Sequence, residues 1–165
     1  RHCYTVKNAH ARWVIWSSLF VGLILYVAPL PLSWRWFRPE LPLLVLFYWN
    51  LALPHRVGIF SAAVTGLTLD VINGSAVGAL GFGAVISTLF ILLNYQRIRQ
   101  FDTLLQSVAM GLLVGLTLII ERWLHGFLGM AGTGLGFIYS LPATILFWPL
   151  VRNSLRGLCR YYEVE

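Results

Sequence analysis

Leu53-Pro54-His55-Arg56-Val57-Gly58 opens a stretch that continues through Gly66-Leu67-Thr68-Leu69-Asp70-Val71-Ile72-Asn73-Gly74-Ser75-Ala76-Val77-Gly78. A carboxylate stands near the end of an apolar run, and an Asn-Gly turn signal follows it at once. On insertion scales an Asp at the middle of a bilayer costs about 2.5–3.5 kcal/mol. A chain that keeps Asp70 in such a run either sets it near a membrane surface or uses it.

Working outward, the composition defines the solvent. Hydrophobic residues make up 58% of the 165-residue chain and charged residues 11%, against about 25% charged in a soluble domain. A water-facing globule of this size leaves too much surface exposed to hide that apolar content. Lys and Arg number 12 against 6 Asp and Glu, but they fall in the gaps between apolar runs, as membrane-flanking anchors do. That placement argues against a nucleic-acid partner. Cys3 and Cys159 lie near opposite ends of the chain, so neither a metal spacing nor a disulfide framework is expected. No cleavable signal peptide is expected either, since the first apolar run is too long for one and no small-x-small site follows it.

Six apolar runs predict an all-α integral membrane protein with a single polytopic domain. Their spans are about 13–32, 41–54, 57–72, 76–95, 104–120 and 135–151, and a basic amphipathic tail covers 152–165. The run at 41–54 is short for a ~30 Å hydrocarbon core. A full span is the reading taken, with a re-entrant hairpin as its rival. Pro42 suits a first helical turn and Pro54 ends the run. Ser33-Trp34-Arg35-Trp36-Phe37-Arg38-Pro39 reads as an interfacial turn, and Glu121-Arg122 closes the fifth run.

Six spans put both termini on one side. That side collects Arg1, Lys7, Arg12, Arg56, Arg97, Arg99, Arg152, Arg156 and Arg160, while the other holds Arg35, Arg38 and Arg122. The imbalance makes both termini cytoplasmic. Asp70 lies about 21 Å beyond Arg56 along a helix, which moves it toward the outer surface. There Arg35, Arg38, Glu121 and Arg122 form the expected charged cluster.

Asp70 then has three readings: a structural cap or ion pair, a contact to a partner helix, or a proton or cation relay. A relay is disfavoured because no second intramembrane acid or histidine accompanies it. His55 and Arg56 are either a topology anchor or a lipid-phosphate contact. Asn50 is expected to bond to a neighbouring helix. Gly74-x-x-x-Gly78, Gly111-x-x-x-Gly115 and Gly132-x-x-x-Gly136 read as close-packing signals. Arg152, Arg156 and Arg160 recur every four residues beside an apolar face, the pattern of a helix on an anionic inner leaflet. His125 has no partner at ligand spacing, so no metal is expected. No nucleophile, paired-carboxylate or metalloprotease motif is present, and neither catalysis nor a cofactor is expected.

The combination of Pro54-His55-Arg56 with Gly66-Leu67-x-x-Asp70-x-x-x-Gly74-Ser75-x-x-Gly78 resembles the bacterial rod shape-determining MreD family. The likeness continues through Phe82 and, more loosely, over nearly the whole length. It implies a non-catalytic inner-membrane subunit of the cell-elongation machinery that works with the bitopic scaffold MreC. Through MreC it would connect to MreB and to a SEDS glycosyltransferase with its class B penicillin-binding transpeptidase, and so to peptidoglycan synthesis. The family is also thought to resemble the six-helix substrate-binding component of energy-coupling-factor transporters. A small-molecule carrier is therefore the alternative. Pro54, His55, Arg56, Gly66, Asp70, Asn73, Gly74 and Gly78 match the family motif, as partner-contact or structural positions.

Overall fold

The computed structural model describes residues 10–28, 40–54, 57–75, 78–129 and 137–161. These residues fold into helices only: α1 (His10–Val27), α2 (Leu41–Ala52), α3 (Ile59–Asn73), α4 (Ala79–Gln100), α5 (Thr103–Phe127) and α6 (Phe137–Tyr161).

The centre of the bundle is α2. Apart from Asn50 it is apolar all round, and each residue from Pro42 to Ala52 is buried, as expected of a helix without a solvent face. It packs against each of the other five helices. Pro42 stands in its first turn, where a missing N–H costs nothing. Its end is dictated by Pro54, which disfavours helical backbone at Leu53; the Leu53 N–H closes the last turn on Trp49 O at 2.7 Å. At 12 residues it is about 18 Å long, shorter than a hydrocarbon core. The run at 41–54 forms a 12-residue helix in the interior of the bundle.

The consecutive pairs α3–α4, α4–α5 and α5–α6 make the most extensive contacts, and α1 lies on α2. A polar tie joins α1 to α2, where Trp49 Nε1 donates to Ser18 Oγ at 2.8 Å. A second joins α1 to the end of α3, where Tyr26 Oη donates to Asn73 Oδ1 at 3.0 Å. Asn50 bonds to a neighbouring helix as expected, donating from Nδ2 to Thr88 Oγ1 at 3.1 Å. Ser87 and Thr117 link α4 to α5 through their hydroxyls at 2.8 Å.

The outside of the bundle is apolar as well. Trp13, Phe60, Leu93, Leu112, Trp123 and Leu146 are each more than two-thirds exposed. Soluble monomers rarely show so much large apolar surface, and this one suits lipid. By length and composition α4 and α5 can cross a membrane, while α2 and α3 are shorter apolar helices.

Three boundaries differ from the sequence reading. Glu121 and Arg122 do not close the fifth run: α5 continues past them to Phe127. The basic tail is not a separate segment, because α6 runs unbroken from Phe137 to Tyr161 with Pro142 and Pro149 inside it. The Asn73-Gly74 pair does not form a free turn. It ends α3, with Gly74 in the left-handed conformation at φ 62° and Ser75 N–H returning to Asp70 O at 3.0 Å, a Schellman-type stop.

Candidate functional site: a carboxylate clamp in the α3–α4 hairpin

The site is built on one face of α3. Ala62, Thr65, Gly66, Leu69 and Asp70 are buried at the spacing of a single helical stripe. Phe60, Leu67 and Val71 on the other side are exposed. Gly66 and Asp70 are one turn apart and share the buried face.

At Gly66 the two helices nearly touch. A Cβ there would collide with Gly81 Cα and lie 2.9 Å from Gly81 N. The missing side chain lets α4 approach at backbone distance. One turn further on, this brings the start of α4 against the Asp70 carboxylate.

That start needs a partner. The first amides of a helix have no intrahelical acceptor, and in an apolar setting no water replaces one. Gly78 occupies the N-cap position at φ 99° and has no side chain to offer. Asp70 supplies the cap from the preceding helix. Its Oδ2 accepts the N–H groups of Gly78 at 2.9 Å and Gly81 at 3.2 Å. Its Oδ1 accepts the N–H of Leu80 at 3.1 Å and the hydroxyl of Ser75 at 2.8 Å. The carboxylate is 0% exposed, yet its oxygens are filled by donors at the positive end of a helix dipole. Both sides of the contact gain, because the amides would otherwise be orphaned at about 1–3 kcal/mol each.

Of the three readings of Asp70, the structure shows a structural cap, made to the amides of α4. It is buried within the protein, and the cost of burial is offset by those amides. Glu121 on α5 is within Coulombic reach of both Asp70 and its sequence neighbour Arg122. Arg35 and Arg38, the other members of the expected outer cluster, lie outside the described residues, as do His55 and Arg56 of the opening motif. Pro54 terminates α2, away from the clamp.

The glycine readings are also revised. Gly74 and Gly78 are turn positions with positive φ, and a Cβ on either would meet nothing within 4 Å. Their role is conformational, not close packing. Gly111 and Gly115 do pack closely: a Cβ on Gly111 would strike the Ile145 side chain, and one on Gly115 would lie 3.1 Å from Leu141. Gly132 and Gly136 lie outside the described residues. Close contacts at Gly66 with Gly81, and at Gly83 with Thr117 O at 2.7 Å, carry no Gly-x-x-x-Gly signal, because the small residues four away are Ala62 for Gly66 and Ala79 and Ser87 for Gly83.

At the far end of the bundle, Arg152 Nη1 donates to Thr103 Oγ1 at 2.8 Å. Arg156 is exposed, and the Arg160 side chain lies outside the described residues. Among the described residues no group of His, Cys, Asp and Glu is arranged to hold a metal ion.

These features define an all-helical protein with a lipid-suited surface whose motif residues lock a helix hairpin. Residues 7–158 match the family described as rod shape-determining protein MreD, and the chain belongs to that family. It is 31% identical over 155 residues to the rod shape-determining protein MreD of Haemophilus influenzae, a match covering 93% of this chain and 96% of that protein. No solved structure matches it.

Proposed function

We propose that this chain is a non-catalytic, six-span subunit of the bacterial inner membrane with both termini in the cytoplasm. It binds the membrane scaffold MreC directly and, through it, helps organise MreB and the peptidoglycan synthase pair during rod elongation. Family membership supplies the cell-shape role. The observation that carries the subunit reading is the Asp70 clamp. Its intramembrane carboxylate is committed to the backbone of α4, which favours a fixed scaffold over a moving ion path. In this orientation Arg152 and Arg156 of α6 lie on the cytoplasmic side, the side to which the charge count also assigns His55, Arg56 and Arg160.

A small-molecule carrier, related in architecture to the substrate-binding component of energy-coupling-factor transporters, is the second reading. One observation favours it: Asn50 Oδ1, Gln106 Oε1 and Trp148 Nε1 are buried polar atoms with no hydrogen-bond partner among the described residues. A ligand inside the bundle would satisfy them.

Affinity purification from native membranes separates the two. The subunit reading expects MreC to co-purify and no small molecule to be retained. It also expects Asp70→Ala to insert normally while recovering less MreC and giving cells of altered width. Purification with a bound small molecule and no protein partner overturns it. Reporter fusions at the two termini test the orientation, and an N-terminus and C-terminus on opposite sides overturn the six-span count.

A further inference from the structure

We infer that the end of the bundle formed by the α4–α5 turn and the last turns of α6 is a binding site for the phosphate group of an anionic phospholipid. The inference deepens the inner-leaflet reading above and rests on it. The residues concerned are far apart in sequence, and the fold brings them to one end. α4 ends and α5 begins there, and the bond from Arg152 to Thr103 Oγ1 places α6 beside them.

The hydrocarbon edge can be located at this end. Thr103 opens α5, and the next residues, Leu104 and Leu105, are 78% and 53% exposed. Side chains this apolar and this exposed belong in acyl chains. Thr103 therefore stands at the boundary between tails and headgroups. The Arg152 guanidinium, bonded to its hydroxyl, is held at the depth of lipid phosphate.

The surroundings have the matching sign. Arg97 and Arg99 lie in the last turn of α4, and Arg156 follows Arg152 by one turn. Arg97 and Arg156 are both exposed. Asp102 is the acid described at this end. The arginines stand beside apolar positions, since Ile98 and Leu155 are buried in the core cluster. Each is bracketed or followed by an arginine, as Arg97-Ile98-Arg99 and Leu155-Arg156. Exposed apolar side chains next to a guanidinium fit a glycerophospholipid, with its chain on Leu104 and Leu105 and its phosphate at Arg152. Arginine forms paired hydrogen bonds to phosphate oxygens. Thr103 acts as a positioning residue for Arg152.

The test uses the full chain reconstituted in phosphatidylcholine nanodiscs, with and without phosphatidylglycerol. The readouts are the thermal unfolding midpoint and the lipid retained in native mass spectra. Phosphatidylglycerol is expected to raise the midpoint and to be retained in preference to phosphatidylcholine. Arg97→Gln with Arg156→Gln changes only exposed side chains, so the variant folds. It is expected to weaken phosphatidylglycerol retention roughly tenfold or more. Thr103→Val is expected to weaken it less, and Thr103→Ser, which keeps the hydroxyl that Arg152 bonds, to retain the wild-type preference. Wild-type retention by the double variant overturns the proposal. So does a midpoint shift of equal size from inorganic phosphate in phosphatidylcholine alone, which makes free phosphate the ligand. A chain that inserts without lipid preference overturns this site only. A chain that fails to insert overturns the membrane reading with it.

Discussion

The Gly81 amide of α4 donates to Asp70 Oδ2 at 3.2 Å, and the Cα of the same residue fills the space a side chain on Gly66 would need. One residue of α4 thus takes part in two contacts with α3, spaced one helical turn apart. The steric contact sets how near the helices come, and the hydrogen bond uses that nearness to cap α4.

Loss of the carboxylate removes the cap from buried amides. Asp70→Ala is expected to destabilise the protein by several kcal/mol, on the order of 3–5. Asp70→Asn is expected to fall between, because it keeps one acceptor oxygen but turns an NH2 toward N–H donors. Unfolding by denaturing detergent, followed by helical circular dichroism, measures both. Equal stability of Asp70→Ala and wild type would falsify the cap.

The two glycines of the crossing are not equivalent. A methyl on Gly66 meets backbone, which cannot move aside, while one on Gly81 finds its nearest atom, Leu67 N, at 3.4 Å. Gly66→Ala is expected to cost about 1–3 kcal/mol, as overpacking does, and Gly81→Ala much less. The same unfolding assay ranks them; a reversed order means that the helices cross elsewhere.

The turn glycines carry a conformational cost of a different kind. Gly74 at φ 62° and Gly78 at φ 99° have open space around them, so only backbone strain opposes a side chain. Gly74→Ala is expected to lose about 1–2 kcal/mol. Gly74→Asn should lose less, because Asn tolerates the left-handed region. If Ala and Asn prove equally harmful, strain is not the cause.

Asn50 and Thr88 should behave as a unit. Each single apolar replacement, Asn50→Leu or Thr88→Val, leaves its partner's polar group buried and unmet, at about 1–3 kcal/mol. The double variant is expected to cost less than the two singles combined, by about 0.5–1.5 kcal/mol. Strict additivity in the cycle would show that the two side chains do not share a hydrogen bond.

Several of these features were legible in the residues. The apolar runs marked the helices, because a chain in lipid must satisfy its backbone within each segment. Pro54 and Asn73-Gly74 marked the ends of α2 and α3, because their backbone preferences are local. A motif containing Gly66, Asp70, Gly74 and Gly78 was visible as a unit. Its geometry was not, because the partner of Asp70 is a set of main-chain amides, and every sequence has those.

Sequence by itself determined the helices, the apolar surface and the family, since each depends on residue type and near-neighbour spacing. Tertiary structure alone decided which groups Asp70 caps, the first amides of the following helix. It also made the short α2 the core, and it paired Arg152 with Thr103 across the bundle. Those outcomes depend on how near one helix comes to another. That distance is set at Gly66 and Gly81 by the absence of side chains, a property that pattern and charge do not carry.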